Sequence, residues 1–411
     1  MKASKLKFAI FAYLAGTVAI HVAMFWNVRE SIWKGYSDFA IYYCAGTIVR
    51  QGLGHQLYDD ATQFNVQREF SPDVAIRHGA LPYNHPPFEA ALFVPFTFVP
   101  YPAAFALWDL ANLAMLISLP FLLGPHLPQL QNYPWPLWGL TSLAFFPIFI
   151  ALLQGQDAIL LLFLYALAFV CLKKNRDFSA GCCLALGLFK PHLVLPLIFL
   201  LLVQGRRRVL SGFVLIALIL ALVSTAIVGK QGMALYPHYV MHLEDTLARG
   251  AIVPSDMPNL RGALSILFPN LRHIVTAILV ISLGLLLFTA LESRKIGKKD
   301  LFDLKFSLAV LATVLVSYHA LIYDLSVLIL PVLLLADELL GKGKFHGWCS
   351  VLMIVGVATF FVPPLQVDLS MRQHRSALVA WVLLVWLFGI AREISFRSSE
   401  NIVLQNAGTP D

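Results

Sequence analysis

Asp38, Tyr42 and Gly46 recur at four-residue spacing in Lys34-Gly35-Tyr36-Ser37-Asp38-Phe39-Ala40-Ile41-Tyr42-Tyr43-Cys44-Ala45-Gly46, so a helix there puts all three on one face. A carboxylate held on such a face can take a proton from a hydroxyl. Asp38 or Ser37 could equally cap the helix, and the residue types alone leave both roles open. Lys190 closes an apolar run containing Gly181 and Gly187, where an unpaired ammonium is costly. It could hold a phosphate's charge or snorkel to the interface. Arg261, beside Gly262 in a polar segment, has the same two options, anion binding or plain solvation. His319 and Asp324 lie in a turn between two apolar runs, where they could bind phosphate or a hydroxyl, or join the span ends by a hydrogen bond.

Other polar residues invite structural readings. Asp157 opens an apolar run after Gln154-Gly155-Gln156, and a helix N-terminus favours a carboxylate without any further role. Asp60 followed by Gln63 fits a capping box at the start of a second helix in the same segment. His85, before two prolines, could contact a ligand or cap the membrane surface. Asp38 and Asp157 with His85 or His319 could be considered for a divalent metal, but no ligand pair such as His-x-x-x-His sits on one element. The expectation is therefore no metal and no cofactor. Walker, dinucleotide-turn and nucleophile-elbow motifs are absent from the sequence.

The elements that position these residues are set by composition. The chain has 411 residues, 59% hydrophobic and 13% charged, about half the charge of a soluble domain. Lipid must be part of its solvent, and backbone groups in lipid need internal partners, so an all-α integral membrane fold is expected. Candidate spans fall near 8–28, 86–100, 102–122, 137–153, 157–172, 178–190, 191–204, 208–229, 271–291, 302–318, 320–336, 347–365 and 376–391. The first follows Lys2, Lys5 and Lys7 and is read as a retained anchor, being longer than a signal h-region. Cysteines at 44, 171, 182, 183 and 349 suggest packing, with no disulfide framework or zinc spacing.

The net charge of +7 gathers in short loops beside apolar runs. That pattern is a topology signal, and no nucleic acid partner is expected. Lys173, Lys174 and Arg176, Arg206 to Arg208, Arg294, Lys295, Lys298 and Lys299, Lys342 and Lys344, with both termini, are placed on the cytoplasmic side. Segment 29–83, the turn Gln154 to Asp157, segment 230–270, the turn Tyr318 to Asp324 and residues 366–375 then face the other side. Segment 84–153 holds three runs where the charges need an even number, so one is short or re-entrant, leaving about 12 crossings. The layout is one transmembrane domain over 1–411: an outer loop 29–83 with amphipathic surface helices, a bundle 84–340 and C-terminal helices 341–411.

Asp38 to Asp59, with its Tyr42-Tyr43 pair, Ala45-Gly46, a glycine-containing turn and Leu57-Tyr58-Asp59, resembles the N-terminal signature of glycosyltransferase family 87. Tyr83-Asn84-His85-Pro86-Pro87, Gly155-Gln156, Lys190-Pro191, Pro258-Asn259-Leu260-Arg261-Gly262, Tyr318-His319 and Tyr323-Asp324 resemble its further landmarks in order, over roughly residues 36 to 335. That family contains GT-C type enzymes, including polyprenyl-phosphate-mannose-dependent alpha-mannosyltransferases, whose first outer loop carries an acidic base.

The resemblance implies a hexosyltransferase of the cell envelope, in an inner or plasma membrane. It would move a sugar, mannose by resemblance, from a polyprenyl-phosphate donor to a lipid or glycan acceptor on the extracytoplasmic face, with inversion. Asp38 would be the catalytic base. Lys190, Arg261 and His319 would bind the donor phosphate, and Tyr42, Tyr43, Tyr83, His85, Gln156 and Asp324 the substrates. Membrane lipids are the remaining expected partners. The rival class is a transporter or flippase of a lipid-linked or hydrophobic solute. It predicts matching interrupted helices in two halves and polar residues spread through the midplane, whereas these cluster near one interface. A family member that has lost activity and serves as a partner is a third reading, against which the presence of Asp38, Lys190 and Arg261 counts.

Overall fold

Apolar runs of this length become helices because lipid offers no partner to an open N–H or C=O. The computed structural model describes residues 2–72, 80–246, 253–294, 301–342 and 349–407, and no strand occurs among them. The first part comprises α1 (Lys2–Ser31), α2 (Phe39–Arg50), α3 (Asp60–Phe70), α4 (Pro87–Phe93), α5 (Tyr101–Leu123), α6 (Trp135–Ala144), α7 (Phe146–Gln154), α8 (Ala158–Lys173) and α9 (Asp177–Leu186). Then follow α10 (Pro191–Val203), α11 (Arg208–Thr246), α12 (Leu260–Leu267), α13 (Ile274–Arg294), α14 (Phe302–Val316), α15 (Ile329–Lys342), α16 (Cys349–Thr359), α17 (Pro363–Val367) and α18 (Val379–Ala407).

Five helical segments are long and apolar enough to cross a membrane: Lys7–Arg50, Tyr101–His126, Arg208–Met241, Ile274–Arg294 and Ser376–Ser399. Two bent pairs raise the number to seven if each is one span; α6 with α7 bends by 73°, and the α16 and α17 region by 70°. Pro87–Phe98, α8, α9 and α10 are apolar but shorter. Segment 84–153, expected to contain a short or re-entrant run, thus holds both the short stretch Pro87–Phe98 and the α6–α7 bend. Lys295, Lys298, Lys299 and Lys344, used in assigning sides, lie outside the described residues.

Two cores meet at the site. The larger gathers α8, α9, α10, α14, α15 and α18; α8 and α14 are apolar all round and accordingly buried on most sides. The smaller is aromatic, built on Phe39, Tyr42 and Tyr43 of α2, Phe93 of α4, Phe105 and Trp108 of α5 and Phe149 of α7. Leu160, Ile322 and Tyr323 pack against both cores and so mark the seam between them.

Two local expectations are corrected. Helix α2 does not lie as a surface helix: Phe39 to Ile48 are all buried, because this run is apolar around its whole circumference and is enclosed by protein. The second helix is capped one residue earlier than expected: Asp59 Oδ2 accepts from the Thr62 amide at 2.8 Å. Gln63 is drawn elsewhere, its side chain donating to the Leu57 carbonyl and accepting from the Tyr83 amide, so no Asp60–Gln63 box forms.

Candidate active site

Asp38 occupies the N-cap position of α2, yet its side chain makes no capping bond. Instead Oδ2 accepts from Gln156 Nε2 at 2.7 Å, and the carboxylate is only half-buried, within reach of a ligand. Gln156 Oε1 accepts from the Tyr42 hydroxyl at 2.9 Å, and the Asp38 amide donates to Gln154 Oε1 at 3.1 Å. The turn after α7 therefore fixes Asp38 from two sides.

That turn is possible because Gly155 takes φ +62° and the chain reverses between α7 and α8. A Cβ there would stand 2.7 Å from Phe39 Cβ and 2.9 Å from a Phe105 ring carbon. Trp108 Nε1 donates to the Gly155 carbonyl at 3.0 Å and pins the turn to α5.

Beyond Gln156 lies a buried charge network at the starts of three elements. Lys190, the residue before α10, places Nζ 2.9 Å from Asp157 Oδ1 and 2.8 Å from Asp324 Oδ1. Asp157 is fully buried and makes no cap bond to α8, so the helix terminus does not account for it. Asp324, in the 3-10 turn Ile322–Leu328, also accepts from the Leu321 amide through Oδ2 at 2.8 Å. Lys190 is 4% exposed, so it does not snorkel to water. Its ammonium also lies 5.2 Å from the centre of the Tyr323 ring. Asp38 stands within electrostatic range of Lys190, Asp157 and Asp324.

His85 closes the network from the segment before α4. Its Nδ1 lies 2.7 Å from Glu89 Oε2 and 3.7 Å from Asp157 Oδ2. Burial lowers the His85 pKa to about 4; Asp157 pulls upward, while Lys190 and His319 add to the lowering. At neutral pH the ring is uncharged, and its contact with Glu89 is a hydrogen bond that carries one proton between the two groups. The ring is boxed by Tyr42 at 5.1 Å and Tyr83 at 5.7 Å between centroids. The Tyr58 hydroxyl holds the His85 carbonyl at 2.8 Å.

The sequence-selected residues divide accordingly. Asp38, Tyr42, His85, Gln156, Lys190 and Asp324 form one connected group. Tyr83 borders it, its own hydroxyl donating to the Pro86 carbonyl. Tyr43 points away and donates to the Val99 carbonyl at 2.9 Å. His319 faces His192, with ring centroids 6.2 Å apart. Arg261 is 8% exposed and lies over the Tyr318 ring at 4.0 Å, so it reaches the turn beside His319. Asn259 supports it from the helix start, capping Gly262 and donating to the Ser317 carbonyl.

Sequence reasoning missed Glu89 and set Asp157 aside. Glu89 is the single charged residue in Pro87–Phe98, and a lone acid in so apolar a helix was the available signal.

A helical membrane protein with a half-buried carboxylate beside a buried charge network is suited to polar chemistry at the edge of the lipid. The family model for glycosyltransferase family 87 matches residues 83–318, and the chain belongs to that family. It is accordingly a membrane glycosyltransferase. The match begins at Tyr83 and includes His85, Glu89, Gln156, Asp157, Lys190 and Arg261; Asp38, His319 and Asp324 lie outside it. No curated protein and no solved structure matches the chain.

Proposed function

We propose that this protein transfers a hexose, taken as mannose on family resemblance, from a polyprenyl-phosphate donor to a lipid or glycan acceptor. The reaction belongs on the extracytoplasmic face of a GT-C type fold with about 12 crossings. A donor with a prenyl tail in the bilayer delivers its anomeric carbon at the interface. The acceptor hydroxyl attacks that carbon as the bond to phosphate breaks, which inverts the configuration. Asp38 takes the hydroxyl proton. Lys190, with Arg261 and His319 from the neighbouring turn, stabilises the leaving phosphate, since fixed cations at a dehydrated site act more strongly than bulk water.

The observation that carries this reading is the state of Asp38: it is half-buried, has no capping duty and is aimed by Gln156. A structural carboxylate in that place would bond the first amides of α2. Asp38→Asn keeps the shape and removes the base, so transfer should fall about 10²- to 10⁴-fold. Membranes holding wild type or variant, given labelled polyprenyl-phosphate mannose and analysed by mass spectrometry, measure this. A wild-type rate in the variant would remove Asp38 from the mechanism. No product from any polyprenyl-phosphate sugar with wild type would remove the donor.

A further inference from the structure

The three residues at the far end of the network from Asp38 have a composition that acid–base chemistry does not require. His85, Glu89 and Asp157 each bring one donor atom into a group whose members lie within 4.8 Å of one another. Donors around one cation can be separated by at most twice the bond length, about 4.2 to 4.6 Å for bonds of 2.1 to 2.3 Å. The pairs His85–Glu89, at 2.7 Å, and His85–Asp157, at 3.7 Å, meet that limit. The Glu89 and Asp157 carboxylates also approach within hydrogen-bond reach.

Both acids are fully enclosed; beyond His85 and each other, Glu89 has no hydrogen-bond donor and Asp157 has only the Lys190 ammonium, on Oδ1. Lys190 offsets part of the charge but is shared between Asp157 and Asp324. Glu89, Asp157 and Asp324 face one ammonium, so a dication that ionises all three would leave the cluster neutral. Lys190 takes Oδ1 of Asp157, while Oδ2 is the oxygen turned to His85, so the ammonium does not occupy the same place. One element could not have shown this: His85 and Glu89 precede and begin α4, whereas Asp157 comes from the turn before α8.

We infer that His85 Nδ1, Glu89 Oε2 and Asp157 Oδ2 form a binding site for one divalent first-row transition ion, of the Mn²⁺ or Zn²⁺ class. An imidazole with two carboxylates suits these ions, whereas Mg²⁺ and Ca²⁺ prefer oxygen alone. This proposal departs from the expectation of no metal, which looked for ligands on a single element. Three protein ligands leave positions open for an outside oxygen. That this oxygen belongs to the donor phosphate rests on the proposed function; the site itself does not.

The test reads metal binding directly, so its outcome is separate from that of any transfer assay. Purified full-length protein, stripped with chelator and dialysed against MnCl₂ or ZnCl₂, should retain one ion per chain by elemental mass spectrometry. Glu89→Gln and His85→Asn should each bind at least 10-fold more weakly, and Asp38→Asn, outside the donor set, as tightly as wild type. Bound Mn²⁺ in the wild type should show coupling to an imidazole nitrogen in its electron spin resonance spectrum, a readout that survives should the variants fold poorly. Equal binding by wild type and Glu89→Gln, or Mn²⁺ with no nitrogen coupling, would overturn the site. Two acids sharing a proton would then take its place.

Discussion

Lys190 is the residue on which the charged groups converge, and its burial makes its two possible roles separable. With Nζ within 3 Å of both Asp157 and Asp324 and the side chain 4% exposed, the ammonium is paired on two sides in a medium that penalises lone charge. Lys190→Met keeps the length and leaves two acids facing each other. The expected loss is about 3–5 kcal/mol, read as a lower unfolding temperature in detergent. Adding Asp324→Asn removes one of the stranded charges and should recover part of that stability. If Lys190 only holds the fold, sugar transfer should recover in step. If it also meets the donor phosphate, stability returns and transfer does not. Rates in the double variant that track its unfolding temperature would therefore strip Lys190 of its proposed catalytic part.

The turn from α7 to α8 shows how an element positions a side chain it does not carry. Gln156 aims Asp38 only because Gly155 reverses the chain in a left-handed conformation against Phe39 and Phe105. In Gly155→Ala the backbone strain alone costs about 1–3 kcal/mol, and the new methyl must displace Phe39 at the start of α2. Transfer should fall through the maximal rate while the protein still folds, as measured by turnover beside thermal unfolding. Unchanged turnover would mean that Asp38 does not need this turn. Much of the site was legible from the chain because its polar residues stand out against apolar runs: Asp38, Gln156, Lys190 and Asp324 were all selected from sequence, and the structure joins them. Asp157 was also visible but had a sufficient local explanation at a helix start, and only its distance to Lys190 displaces that explanation. Glu89 pairs locally with His85 four residues before it, but its approach to Asp157 joins residues far apart in the chain, and no local periodicity reports that. The enclosure of α2 was hidden for the same reason: its apolar residues fit a membrane surface as well as a protein interior until α4 and α5 are packed against it.

At the scale of the molecule, polar groups occupy opposite ends of the same helix. Asp157 starts α8 within the candidate active site, and Lys173 ends it in an ion pair with Asp303. Sixteen residues at 1.5 Å each separate the two by about 24 Å, most of a hydrocarbon core. Near the Lys173 end Arg206 pairs with Asp177 at 3.0 Å, and these are the loops that the positive-inside reading assigns to the cytoplasm. On the proposed topology a single sidedness holds for the whole chain, and whatever reaches Asp38 comes from the extracytoplasmic side. Asp60 and Arg207, both exposed, report on the two ends, and replacing each with cysteine gives a direct readout. Among the described cysteines Cys44 is buried and Cys171, Cys182 and Cys183 are half-buried, and wild-type protein labelled in parallel sets the baseline. A membrane-impermeant maleimide added to intact cells should label Asp60→Cys and leave Arg207→Cys unmodified until the membrane is opened. The reverse pattern would put the carboxylate on the side where soluble nucleotide sugars are available, and the case for a prenyl-linked donor would lose its physical basis.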